Sequence, residues 1–208
     1  MSLEETGKMV DQNQGRVREQ LVRLAADRPQ IYMAAQDWFS QQGERIVPAL
    51  VQGLEEEDLG AVCHRRILLL LRYFAKEETI PAILKALRRA LRNGNHIVIP
   101  GAMEAVAVFH TPEALQTLMG LTQASDPDIV KHAAVLLGQT QDAAAVEPLL
   151  SLLASTDPFI RYSAVKALLQ LEVPTARAAL VRHLETETDA EILVLLHSAG
   201  LGKPGMAP

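Results

Sequence analysis

The chain has 208 residues, 49% of them apolar and 22% charged, which is enough aliphatic material to bury a core. A net charge of −5 argues against a general nucleic-acid binder, which needs a broadly basic face, and 4% aromatics argue against a ring-lined sugar or base platform. The one cysteine, Cys63, excludes an internal disulfide and a cysteine-rich zinc site, and it fits a cytoplasmic setting.

The N-terminal stretch "MSLEETGKMVDQNQG" is polar and acidic, the opposite of a secretory signal, and residues 1–13 are expected to be disordered. Met1-Ser2-Leu3 is either native or a cloning remnant, and the sequence leaves both open. No apolar run approaches the roughly 18 residues that cross a bilayer, so no membrane role is expected. A lead-in helix is predicted from about Gln14 to Ala26, followed by five helix pairs over about residues 29–185. "TDAE" (Thr188 to Glu191) resembles a capping box and opens a C-terminal cap over 188–199. The Gly- and Pro-rich residues 200–208 read as a flexible tail. With no linker in between, residues 1–208 read as a single repeat domain.

The pairs declare themselves by repetition. Asp126-Pro127 recurs as Asp157-Pro158, 31 residues later, and at the same shift Ile129, Ala133, Leu136 and Leu137 become Ile160, Ala164, Ala167 and Leu168. Those spacings lie on one helical face, and Asp before Pro starts a helix, because the carboxylate caps free N–H groups and Pro at the first position loses nothing. In the second helix of each unit, Val146, Leu149, Leu150 and Leu153 align upstream with Leu115, Leu118, Met119 and Thr122. The column continues through Ile80, Ile83, Leu84 and Leu87 to Val47, Leu50, Val51 and Leu54, and downstream through Arg177, Leu180, Val181 and Leu184. The successive shifts of 33, 35, 31 and 31 residues mark stacked helix pairs, none of which can cover its own apolar faces alone. Phe39, Phe74 and Phe109, each 35 residues from the next, read as core rings beneath the inter-helix turns rather than a ligand stripe.

The units "DPDIVKHAAVLLGQTQDAAAVEPLLSLL" and "DPFIRYSAVKALLQLEVPTARAALVRHL" resemble HEAT-like repeats of the short bacterial and archaeal type, also called PBS lyase HEAT-like repeats. The likeness is strong over Asp126 to Glu185 and weaker upstream, where "EEEDLG" and "GNHIVI" stand in place of Asp-Pro. It implies an all-α fold, a right-handed α-solenoid of about five helix pairs with an N-terminal helix and a C-terminal capping helix, and second helices lining a concave face. It also implies a protein-binding scaffold first, though the family holds some enzymes.

Chemistry is sparse. His64, His96, His110, His132, His183 and His197 never pair at i, i+4, and no H-E-x-x-H occurs. Di-iron hydroxylases of the repeat class use His-Glu dipeptides, whereas Arg, Ile, Thr, Ala, Leu and Ser follow the histidines here. Cys63 and His64 would point about 100° apart on a helix, so Cys63 reads as a buried structural cysteine. "SAGLGKPG" lacks the P-loop pattern, and "EEED" (Glu55 to Asp58) reads as a solvated turn between repeats. HEAT-like DNA glycosylases need a basic face with Trp, Asp and Arg, against which stand a single Trp and a negative total charge. No catalytic residue, metal site or cofactor is assigned.

One stretch stands apart. "ILKALRRALRNGN" (Ile83 to Asn95) carries Lys85, Arg88, Arg89 and Arg92 within an arc of roughly 100°, opposite Ile83, Leu84, Leu87 and Leu91. Gly94 is the natural stop, and cations near that end complement the helix dipole. In the repeat register Lys85 corresponds to Gln52, Gly120, Ser151 and Arg182, a polar or small ladder on the face that the resemblance makes concave. The expectation is a non-catalytic scaffold or adaptor holding another protein or an acidic peptide through Gln52, Lys85, Arg88, Arg89, Arg92, Ser151 and Arg182. A solvated, helix-supporting stripe is the plain alternative. A bilin-lyase-like chromophore handler and, behind it, a nucleic-acid binder complete the field. Charge reversal at Lys85 and Arg89 is expected to spare the fold; the oligomeric state is left open.

Overall fold

The computed structural model describes residues 3–201, with side chains from Gln14 onward. Among these residues every regular element is helical: α1 (Leu3–Leu24), α2 (Pro29–Gln41), α3 (Val47–Glu55), α4 (Gly60–Phe74), α5 (Ile80–Arg92) and α6 (Val98–Ala107). They continue as α7 (Pro112–Leu121), α8 (Pro127–Gln139), α9 (Val146–Leu152), α10 (Pro158–Gln170), α11 (Pro174–Leu184) and α12 (Ala190–Ser198). The pairs α2/α3, α4/α5, α6/α7, α8/α9 and α10/α11 are the five that the repeat spacing predicts. The fold is an all-α array of helix pairs, with α1 before it and α12 after it.

The caps follow the sequence logic and extend it. The Asp126 carboxylate accepts the Asp128 N–H at 2.9 Å, and Asp157 accepts that of Phe159 at 2.8 Å. Asn95, 31 residues before Asp126, accepts the N–H groups of Ile97 and Val98, both at 3.2 Å. "GNHIVI" therefore keeps the capping chemistry while losing the Asp-Pro spelling, a device worth about 1 kcal/mol at a helix start. At the C-terminal helix the cap is Asp189, not Thr188; its carboxylate accepts from Glu191 and Ile192 at 3.0 and 3.2 Å. The capping box thus slides by one residue, because the stronger acceptor takes the position.

The second-helix column forms the core. Leu50, Ile83, Leu118, Leu149 and Leu180, one per repeat, are each at most 1% exposed. Phe39 and Phe109 are buried as expected, while Phe74 is half-buried and Tyr73 beside it is 71% exposed. Between α8 and α10 the backbones touch: a Cβ added to Gly138 would fall 2.7 Å from the Cα of Ala167.

Three boundaries differ from expectation. Helix α1 starts at Leu3 rather than near Gln14, so the helix reaches into the 1–13 stretch expected to be disordered. Glu, Gln, Met and Lys in that stretch are good helix formers, and no Pro interrupts it. Leu201 is buried at 2% exposure, so the compact part runs past 199; the rest of the expected flexible tail, 202–208, lies outside the described residues. Finally, the chain divides into two compact units, Met1–Phe109 and His110–Pro208, where the repeat reading expects one domain. The third pair is split by that division, α6 closing the first unit and α7 opening the second.

Candidate partner-binding face

The basic helix α5 lies in the first unit. Its apolar side is fully used, with Ile80, Ile83, Leu84, Ala86, Leu87 and Ala90 all buried. On the other side the four cations fall into two kinds. Arg89 is half-buried and its guanidinium donates to the Leu54 carbonyl, in the last turn of α3. That carbonyl has no partner within its own helix, so Arg89 caps the C-terminus of the preceding repeat's second helix and meets the negative end of its dipole. Lys85 pairs with Glu55, the final residue of α3. With Lys85 at 66% and Glu55 at 42% exposure this pair is a surface contact, worth about 0–1 kcal/mol. Arg88 and Arg92 are exposed and form no ion pair or hydrogen bond among the described residues.

These contacts correct two expectations. Charge reversal at Lys85 and Arg89 does not spare the fold, since it removes the Leu54 cap and the Glu55 pair together. Nor is "EEED" merely a solvated turn: Glu55 meets Lys85, while Glu56 and Asp58 both pair with Arg18 of α1.

Gln52 on α3 is exposed and opens onto a cleft of about 530 Å³ between α1 and α3. The floor is aliphatic, from Val17, Leu21, Ile46 and Ala49; Arg18, Arg45 and Glu56 stand among its polar groups. Arg18 is neutralised by its two acids, and Arg45 donates to the Gln42 side chain at 3.0 Å.

In the second unit Ser151 on α9 and Arg182 on α11 are exposed, like Gly120 on α7. The ladder register therefore predicts exposure correctly at all five rungs: Gln52 and Lys85 in the first unit, Gly120, Ser151 and Arg182 in the second. The Ser151 hydroxyl is turned back onto the Pro148 carbonyl of its own helix at 2.7 Å.

Sequence reasoning missed the most heavily bonded polar group of the second unit. Glu187, whose side chain is 1% exposed, receives both guanidinium ends of Arg161 at 2.9 Å. It also takes His183 Nε2 at 2.8 Å and the N–H groups of Thr188 and Asp189 at 2.8 and 2.9 Å. The Arg161 hydrogen bonds, aided by the two backbone donors, hold its pKa down to about 2. Arg161 has no counterpart in the neighbouring repeats, Val130 occupying its register, so periodicity carries no trace of it.

The remaining reactive types are spoken for. Cys63 is buried, its thiol donates to the Leu21 carbonyl at 3.1 Å, and burial pushes its pKa up to about 11. The thiolate needed for nucleophilic work is therefore suppressed at neutral pH. His64 is buried with Nε2–H donating to the Glu56 carbonyl at 2.9 Å; burial, and then the Arg89 charge, lowers its pKa. Among the described residues no three His, Cys, Asp or Glu side chains come together as a metal site, and no helix is long and apolar enough to cross a membrane.

Residues 121–195 match the family model of HEAT repeats. No curated protein matches the chain. Among solved structures, human deoxyhypusine hydroxylase in complex with glycerol aligns at 18% identity over 93% of this chain and 96% of its own, with a TM-score of 0.48. A designed armadillo repeat protein in complex with the peptide (KR)4 aligns at 19% identity over 86% and 96%, with a TM-score of 0.46. A computationally designed armadillo repeat protein for modular peptide recognition aligns at 18% identity over 86% and 97%, with a TM-score of 0.42.

Proposed function

We propose that this HEAT-like repeat protein is a cytoplasmic, non-catalytic scaffold that holds an acidic segment of another protein on the second-helix face of its first unit. One observation carries the reading: Arg88 and Arg92 stand exposed one helical turn apart, with no acid of the described chain to neutralise them. Guanidinium groups so presented suit carboxylates, which they meet in bidentate geometry. The acidic remainder of the chain, at net −5, repels wrong approaches and leaves this helix as the preferred landing point. Two free cations would release few counterions from a nucleic acid, so phosphate backbones gain little here.

The test is fluorescence anisotropy with a labelled polyglutamate peptide and, beside it, a single-stranded oligonucleotide of equal charge. The peptide is expected to bind, and the Arg88→Glu/Arg92→Glu variant is expected to weaken it at least about tenfold while its thermal midpoint barely moves. Equal binding by wild type and variant, or clear preference for the oligonucleotide, would overturn the reading.

A further inference from the structure

We infer that the acidic partner segment also carries a bulky apolar anchor, which seats in the α1/α3 cleft next to the free arginines. This rests on the acidic-segment reading above and adds the residue that fixes the segment in place. The cleft and α5 both meet α3. Gln52 and Glu56 of α3 line the cleft, while Leu54 and Glu55 of the same helix receive Arg89 and Lys85 of α5. A segment leaving the cleft over Gln52 therefore crosses one helix to reach α5.

The cleft suits an apolar side chain. At about 530 Å³ it falls within the roughly 300–1,000 Å³ of ordinary ligand sites. Its floor of Val17, Leu21, Ile46 and Ala49 offers no hydrogen bonds from side chains. Its strongest charge, Arg18, is already satisfied by Glu56 and Asp58, so an acid entering the cleft would have to displace them. Charge thus belongs on the α5 side and apolar surface on the α1 side. Adjacent helices pack about 8–10 Å apart, and an extended chain advances about 3.3 Å per residue. The crossing takes three or four residues, which defines the partner as an apolar anchor followed, three or four positions on, by a pair of acids. Such an arrangement, one buried anchor beside a charged rim, is how binding energy is ordinarily concentrated.

The experiment uses the full chain and three labelled twelve-residue peptides in a Gly/Ser background. One carries Phe followed four residues later by two glutamates, one has Phe replaced by Gly, and one has the glutamates replaced by Gln. The Phe-to-Gly change is expected to weaken binding about tenfold to a hundredfold, the value of burying one large apolar side chain. Ala49→Phe, which fills the cleft, is expected to reduce the anchored peptide to the affinity of the Gly peptide and leave the Gly peptide itself unchanged. If Ala49→Phe lowers helicity by circular dichroism, the peptide series alone decides. Equal affinity of the Phe and Gly peptides overturns the anchor while leaving the acidic-segment reading intact. Equal binding of the Gln peptide overturns that reading and keeps the cleft, and failure of all three removes both.

Discussion

Two places where one repeat meets the next, the α8–α10 contact in the second unit and the α3–α5 contact in the first, are built from opposite materials. In the second unit the helices touch through the smallest residues available, Gly138 against Ala167, and the polar reinforcement nearby is a buried carboxylate, Glu187, gripped by Arg161. In the first unit α3 and α5 are tied at their ends by long cations, Arg89 on a helix carbonyl and Lys85 on an exposed acid. The difference shows that charge density on a repeat helix does not measure the charge available to a partner. Half of the basic stripe joins repeats, and only the other half is free.

If the second unit depends on its buried strap, Arg161→Met should produce the largest loss. Removing one member of a buried pair strands the other, at a cost of about 3 kcal/mol or more, read by chemical denaturation. The same contact sets an acid limb. Glu187 is held at about 2, below its ordinary 4.5, so its contribution is complete above about pH 4.5 and disappears as pH falls through 2. Arg161→Met should flatten that limb; a variant with unchanged acid stability would mean the strap is ornamental. Next in size comes Gly138→Leu, which forces a side chain into backbone contact and should cost about 1–3 kcal/mol. The matching substitution at Gly120, where a Cβ would meet nothing within 4 Å, should be nearly silent, and equal losses at the two glycines would show that the close approach of α8 and α10 is not real.

How much of this was legible in the sequence depends on whether a residue answers to a column. The buried leucines from Leu50 to Leu180 and the exposed ladder from Gln52 to Arg182 follow from repetition alone, because each repeat poses the same packing problem. Asn95 was readable in principle, since it sits 31 residues before Asp126 and belongs to the capping residue types, but the missing proline hid it. The Arg161–Glu187 strap and the Arg18–Glu56–Asp58 cluster were not readable, because each joins residues from different elements with no repeat-wise counterpart. The same holds for the site. The wheel put four cations on one side of α5, but only the position of α3 decides which of them are consumed.

That last division is also the most delicate to test. Arg89→Ala leaves the Leu54 carbonyl without its cap and should cost about 1 kcal/mol, or about 2–4 °C in thermal midpoint for a chain of this size. Lys85→Ala breaks only an exposed pair and should stay within about 1 kcal/mol. Arg88→Ala should fall within about 0.5 kcal/mol, and Arg92→Ala should lose only the few tenths that a last-turn cation owes to the helix dipole. Binding must run in the reverse order, with Arg88 and Arg92 mattering most to an acidic peptide and Arg89 least. A stability ranking that puts Arg88 level with Arg89 would dissolve the distinction between joining cations and free ones. A binding ranking led by Arg89 would do the same from the other side, since a guanidinium held on a helix carbonyl has its donors committed before any partner arrives.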